Sequence, residues 1–153
     1  MDLELDFVSF EQAKALEELG FPQETYDYLY LDGELISREE YYEMDCGGPF
    51  SVELSESECL SAPPLEFVAK WLRSEKNILV LPYLIAFVGI ANESTPPELK
   101  TNIFGCQIVY YDTYKEGNEF LTLEEFATYE EALSAGIDNA IETLKNKKKG
   151  NEV

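Results

Sequence analysis

The sequence predicts an α+β fold: a single domain, residues 1–153, with a mostly antiparallel sheet and about three helices in the order α-β-β-α-β-β-β-α. Three observations lead there. Two segments open with a capping box and continue with apolar residues at helical spacing. The β-prone segments are joined by short, hairpin-like connections, which antiparallel strands permit. Finally, 153 residues with 45% hydrophobic content and 19 Phe plus Tyr suit one core of ordinary size.

The first helix begins at Ser9, with Gln12 three residues on as the reciprocal capping partner. Phe10, Ala13, Leu16 and Leu19 share a face, Gly20 supplies a left-handed stop and Pro22 prevents continuation. Tyr26–Leu31 alternates, with Tyr26, Tyr28 and Tyr30 on one side. Asp32-Gly33 then predicts a hairpin into Glu34-Leu35-Ile36. Residues 37–61 read as an acidic insert containing a turn at Cys46-Gly47-Gly48-Pro49 and a short strand through Phe50, Val52 and Leu54. An unstructured loop of about 25 residues is unusual in a compact domain, so part of the insert is expected to be ordered. A second helix starts at Pro63-Pro64 and buries Leu65, Val68, Ala69 and Leu72, with Trp71 alongside. Strands follow at Tyr83–Ala91, Ile103–Tyr111 and Glu119–Ala127, separated by a loop over 92–102 and a turn over 115–118. Thr128 and Glu131 open the last helix, whose apolar face is Leu133, Ile137, Ala140, Ile141 and Leu144. Residues 145–153 read as a basic flexible tail, with lysines 145, 147, 148 and 149 at the helix C-terminus, where cations are favoured.

Charge is distributed unevenly. Seventeen of the 31 acidic residues lie in the first sixty positions against two bases, Lys14 and Arg38, so that segment carries −15 of the net −20. Lys70, Arg73 and Lys76 form the only local positive cluster before the tail. Such a field repels nucleic acid and anionic membranes and favours cationic partners. The aromatic residues are not interleaved with bases, as a nucleic-acid platform requires. Histidine is absent, which removes histidine acid–base chemistry, Ser-His-Asp and Cys-His nucleophile systems and most zinc sites. The most apolar stretch, Ile78–Ala91, is 14 residues long and broken by Pro82 and Gly89, too short for a transmembrane helix. An acidic N-terminal stretch and three cysteines (Cys46, Cys59 and Cys106) without a pairing pattern point to free thiols and a cytoplasmic location.

Each chemical motif has a plainer alternative. Tyr114–Glu125 looks like a calcium loop, with Glu116, Asn118, Thr122 and Glu125 at ligand positions. Tyr114 stands where aspartate is needed, however, and Glu119 where the sharp turn needs glycine; a hairpin turning at Gly117-Asn118 is preferred. The carboxylates of Glu39–Glu58 have no metal-ligand spacing, and Cys46 lies between acids that oppose thiolate formation. No cofactor is implied. The tyrosines admit two readings: Tyr26, Tyr28 and Tyr30 as sheet core, or tyrosines among acids as contact residues for a partner's arginines. The partner-binding candidates are Glu39, Glu40, Tyr41, Tyr42, Glu43, Asp45, Glu53, Glu56 and Glu58.

Three helical segments, Phe7–Phe21, Ala62–Arg73 and Thr128–Lys145, together resemble small uncharacterised proteins of gut bacteria and their phages or mobile elements. The resemblance covers about a third of the chain and implies a cytoplasmic accessory role. It brings no known activity and no functional residues.

The expectation is therefore a small non-enzymatic binding protein that contacts a basic protein surface through its acidic first half, without direct nucleic-acid or membrane contact. A more specific alternative is an inhibitor mimicking nucleic acid, which needs carboxylates at the density of duplex phosphates, about one charge per 1.7 Å. A carboxylate- and metal-dependent enzyme is the reading for which the sequence offers no ligand spacing.

Overall fold

The computed structural model describes residues 6–23, 26–45, 58–86, 103–111 and 119–150. The class is α+β, with four helices and two three-stranded antiparallel sheets among the described residues. The chain divides into two compact units, residues 1–64 and 65–153. The one sheet expected from the sequence is thus two, because the first hairpin finds its third strand inside its own unit.

In the first unit, α1 (Phe10–Glu18) carries the expected capping box. The Ser9 hydroxyl accepts from Gln12 N at 3.2 Å, and Gln12 Oε1 accepts from Ser9 N at 2.9 Å. It ends in a Schellman motif: Phe21 N donates to Leu16 O and Gly20 N to Glu17 O, with Gly20 at φ 85°. β1 (Tyr28–Leu31) and β2 (Glu34–Ser37) form the Asp32-Gly33 hairpin, with φ 49° and 87° at the turn, a left-handed pair that a two-residue connection requires. β3 (Cys59–Ser61) pairs on the other side, giving the order β2-β1-β3. Register places Leu60 opposite Tyr30 and Ser61 opposite Leu29, so Leu29 and Leu60 point to opposite faces. Both are 1% exposed, and the central strand is therefore covered on both sides.

Inside the 37–61 insert lies a helix absent from the expected order, α2 (Arg38–Asp45). Its origin is local. Ser37 ends β2 and caps α2, its hydroxyl accepting from Glu40 N at 3.2 Å while the Glu40 carboxylate accepts from Ser37 N at 3.0 Å. The strand expected through Phe50–Leu54 and the turn at Cys46–Pro49 lie outside the described residues.

In the second unit, α3 (Leu65–Lys76) buries Leu65, Val68 and Leu72 and stops at Asn77, left-handed at φ 56°. β4 (Ile78–Ala86) begins five residues earlier than predicted, immediately after that stop. β5 (Ile103–Tyr110) is central and β6 (Glu119–Phe126) completes the order β4-β5-β6. Tyr111 N donates to Asn77 O, so alternation along the ladder turns the backbone groups of Ile78, Val80 and residue 82 away from β5. Proline is tolerated at 82 because the missing N–H would have faced away from β5, on the side where no described strand pairs, and its presence blunts that edge.

The long helix α4 (Tyr129–Gly150) covers one face of this sheet. Its cap is a variant of the expected box: Thr128 Oγ1 accepts from Glu131 N at 3.1 Å, but the Glu131 carboxylate reaches back to Ala127 N. Gly136 sets the approach, since a Cβ there would meet Cys106 Sγ and Val80 Cγ1 at 2.5 Å. The Tyr110 hydroxyl anchors the far end, donating to Asn139 Oδ1 at 2.6 Å and lying 3.1 Å from Thr143 Oγ1. The helix continues through Gly150, so the first six residues of the expected flexible tail (145–150) are helical. Lysine is a good helix former, and lysines 147–149 sit where the dipole favours them.

Candidate functional site: an acidic ridge on the first unit

The two units differ in charge by composition alone. Residues 1–64 hold seventeen acids and two bases, −15, and residues 65–153 hold fourteen acids and nine bases, −5. Both bases of the first unit are engaged. Lys14 Nζ lies 3.3 Å from the Glu58 carboxylate and 5.6 Å from the Phe10 ring centroid. Arg38 ties the start of α2 to the approach to β1: its N–H donates to Asp27 O and its guanidinium Nε–H to Tyr26 O.

This separates the expected contact residues. Glu39, Tyr42 and Glu43 are exposed on α2, Tyr42 at 53%. At spacings of 3 and 4 they form one helical ridge. Tyr41 is half-buried, its ring 6.1 Å from that of Tyr42 and edge-on to it. Glu40 is exposed but occupied by the cap. Asp45 ends the helix, and no base stands in the last turn. Glu58 is paired with Lys14, and its N–H donates to Asp32 Oδ1 at 2.8 Å. Glu53, Glu56 and Cys46 lie outside the described residues. Glu39, in the first turn, is favoured by the helix dipole, whereas Glu43 opposes it at the C-terminal end and lies at i, i+4 from Glu39, where like charges repel.

The three alternating tyrosines pack within the first unit but are half-buried rather than core, and Tyr26 precedes β1. Tyr30 donates its hydroxyl to Val8 O at 2.9 Å and its ring meets Phe10; Tyr28 packs on Phe7 at 4.7 Å and Tyr26 stacks on Phe21 at 6.3 Å.

The thiols are poor nucleophiles. Burial pushes Cys106 up to about 11, and Cys59 is also raised by burial despite the nearby Arg38 charge. Both are free. Among the described residues no three His, Cys, Asp or Glu side chains gather as a metal site, and no helix is long and apolar enough to cross a membrane. Of the calcium-loop positions, Thr122 and Glu125 lie in β6, and 112–118 lie outside the described residues.

Two structural roles that matter here were missed from the sequence: the cap formed by Ser37 and Glu40, and the reach of Arg38. Ser37 and Glu40 satisfy the S-x-x-E capping signature, so α2 was detectable. The role of Arg38, satisfying carbonyls 11 and 12 residues away, leaves no such trace. Comparison of the chain with family models, with curated proteins and with solved structures finds no match.

Proposed function

We propose that this protein is a small acidic binding protein that recognises a cationic protein surface through the Glu39–Tyr42–Glu43 ridge. The observation carrying the reading is the pairing of exposed carboxylates with an exposed tyrosine on one helix face, in a unit whose two bases are both engaged elsewhere. Tyrosine offers a large contact surface at small entropic cost and a ring face for arginine, and carboxylates speed the encounter with a basic partner. The free thiols Cys59 and Cys106 suit a reducing compartment such as the cytoplasm. The role is one of contact rather than catalysis.

The test is capture from a cell lysate with the whole chain and with the triple variant Glu39→Lys, Tyr42→Ala, Glu43→Lys. The parent is expected to retain a basic protein that the variant loses, with the variant's circular dichroism unchanged. Equal capture by both, or capture of acidic proteins, contradicts the reading. A captured nucleic-acid-binding protein released steeply by salt points to the mimicry form of it.

A further inference from the structure

The positive cluster noted in the sequence lines a groove in the second unit. The groove, about 360 Å³, opens between α3, β4 and the first residue of α4. Its floor is Ala69 with the β4 segment Leu79–Pro82, along which the side chains of Val80 and Pro82 face α4 and those of Leu79 and Leu81 the other side of the sheet. Its rim carries Lys70 and Arg73, three apart and therefore on one side of α3, with Glu66 and Tyr129.

Glu66 precedes Lys70 by four residues, the favoured spacing and direction for an ion pair on a helix. The pair does not form. The Tyr129 hydroxyl donates to Glu66 Oε1 at 3.1 Å instead, and no ion pair joins Lys70 or Arg73 to any described residue. Among the described residues, then, two cations stand unpaired beside the groove. The net charge does not settle the local sign, because charges beyond about 8 Å are largely screened at physiological ionic strength. Pro82, on the outer edge of β4, blocks full pairing with an added strand, so the groove suits a compact ligand more than an extended peptide. Its volume lies at the small end of ordinary ligand pockets.

We propose that this groove binds a small amphiphilic carboxylate, its apolar body against Ala69, Val80 and Pro82 and its carboxylate between Lys70 and Arg73. The cations supply charge-assisted hydrogen bonds and the floor supplies burial. The site is on a different unit from the acidic ridge, so either reading can fail alone.

Decanoate, below its micelle-forming concentration, is the probe, with decanol as the uncharged control. Calorimetry on the whole chain is expected to show one saturable site, and amide shifts at Ala69, Arg73 and Leu81. Lys70→Ala/Arg73→Ala is expected to weaken decanoate binding about tenfold, as two partly exposed charge contacts imply, and to leave decanol unchanged. Ala69→Leu, which fills the floor and keeps both charges, is expected to weaken both. Failure of decanoate to bind, equal affinity in the double variant, or shifts centred on Tyr83 and Phe120 on the opposite sheet face would overturn the assignment.

Discussion

The first unit is built from short pieces and the second from long ones. Among the described residues, strands of 4, 4 and 3 residues and helices of 9 and 8 stand in the first unit, against strands of 9, 8 and 8 and helices of 12 and 22 in the second. Short strands bury little and make few ladder bonds, so the first unit draws on side chains to hold its backbone. Tyr30 reaches Val8 O, Gln23 Oε1 accepts from Ser61 N, Asp32 from Glu58 N, and Arg38 reaches Tyr26 O. The second unit relies on area: Cys106, Ile108, Leu133 and Ile137 are buried between β5 and α4, closed by the approach at Gly136. The same contrast holds for charge. The acidic unit spends its two bases on architecture; the near-balanced unit leaves two of its bases facing a groove.

Core substitutions bear hardest on this contrast. Leu60→Ala is expected to cost roughly 3 kcal/mol by leaving a cavity beside Tyr30, and Gly136→Leu roughly 3 kcal/mol by forcing α4 off Val80 and Cys106. Urea unfolding measures the totals. Native-state amide exchange is expected to show the first loss concentrated in β1–β3 and the second in β5 and α4; interchange of these patterns contradicts the division.

The next effect is confined to the second unit. Burial raises the Cys106 pKa from 9.0 to about 11. Between those values the unfolded thiol has released its proton and the folded one has not. This contribution to stability is therefore intact below pH 9 and lost as pH rises through 11. Thermal unfolding from pH 7.5 to 11 is expected to show a steeper alkaline fall for the parent than for Cys106→Ala, even though the variant starts less stable at neutral pH. Parallel curves would show that the thiol does not report burial.

The smallest effects come from a device both units share. Ser9→Ala in the first unit and Thr128→Ala in the second each remove a side-chain oxygen that accepts from a backbone N–H in the first helical turn. Each is expected to cost about 1 kcal/mol. Similar shifts in the urea midpoint show that the units differ in packing and charge rather than in how they start helices.

The legible parts were local ones. Ser9–Gln12, Asp32-Gly33, Gly20 and Thr128 each satisfy backbone groups within a few residues, so pattern sufficed. The helix α2 was equally local and was obscured by its acidity: Glu39, Glu40 and Glu43 made Arg38–Asp45 look like solvated loop, although Ser37 and Glu40 complete a capping box. The candidate ridge was half legible. Its residue types were chosen from composition, but only the structure separates Glu39, Tyr42 and Glu43 from Glu40, which caps, Tyr41, which is half-buried, and Glu58, which is paired. Lys70 and Arg73 stood out as charge without a role, because the groove they border is made by β4 and Tyr129.

What the sequence by itself determined is the α+β class, the starts of α1, α3 and α4, the stop of α1, the hairpin and the −15/−5 partition, since capping, turn chemistry and charge depend on residues near one another in the chain. Tertiary structure alone decided that the strands form two sheets, that Pro82 lies on an outer edge of its sheet, and that Tyr129 bonds Glu66. Each of these depends on which distant backbone or side chain satisfies a group first, and no local spacing encodes that competition.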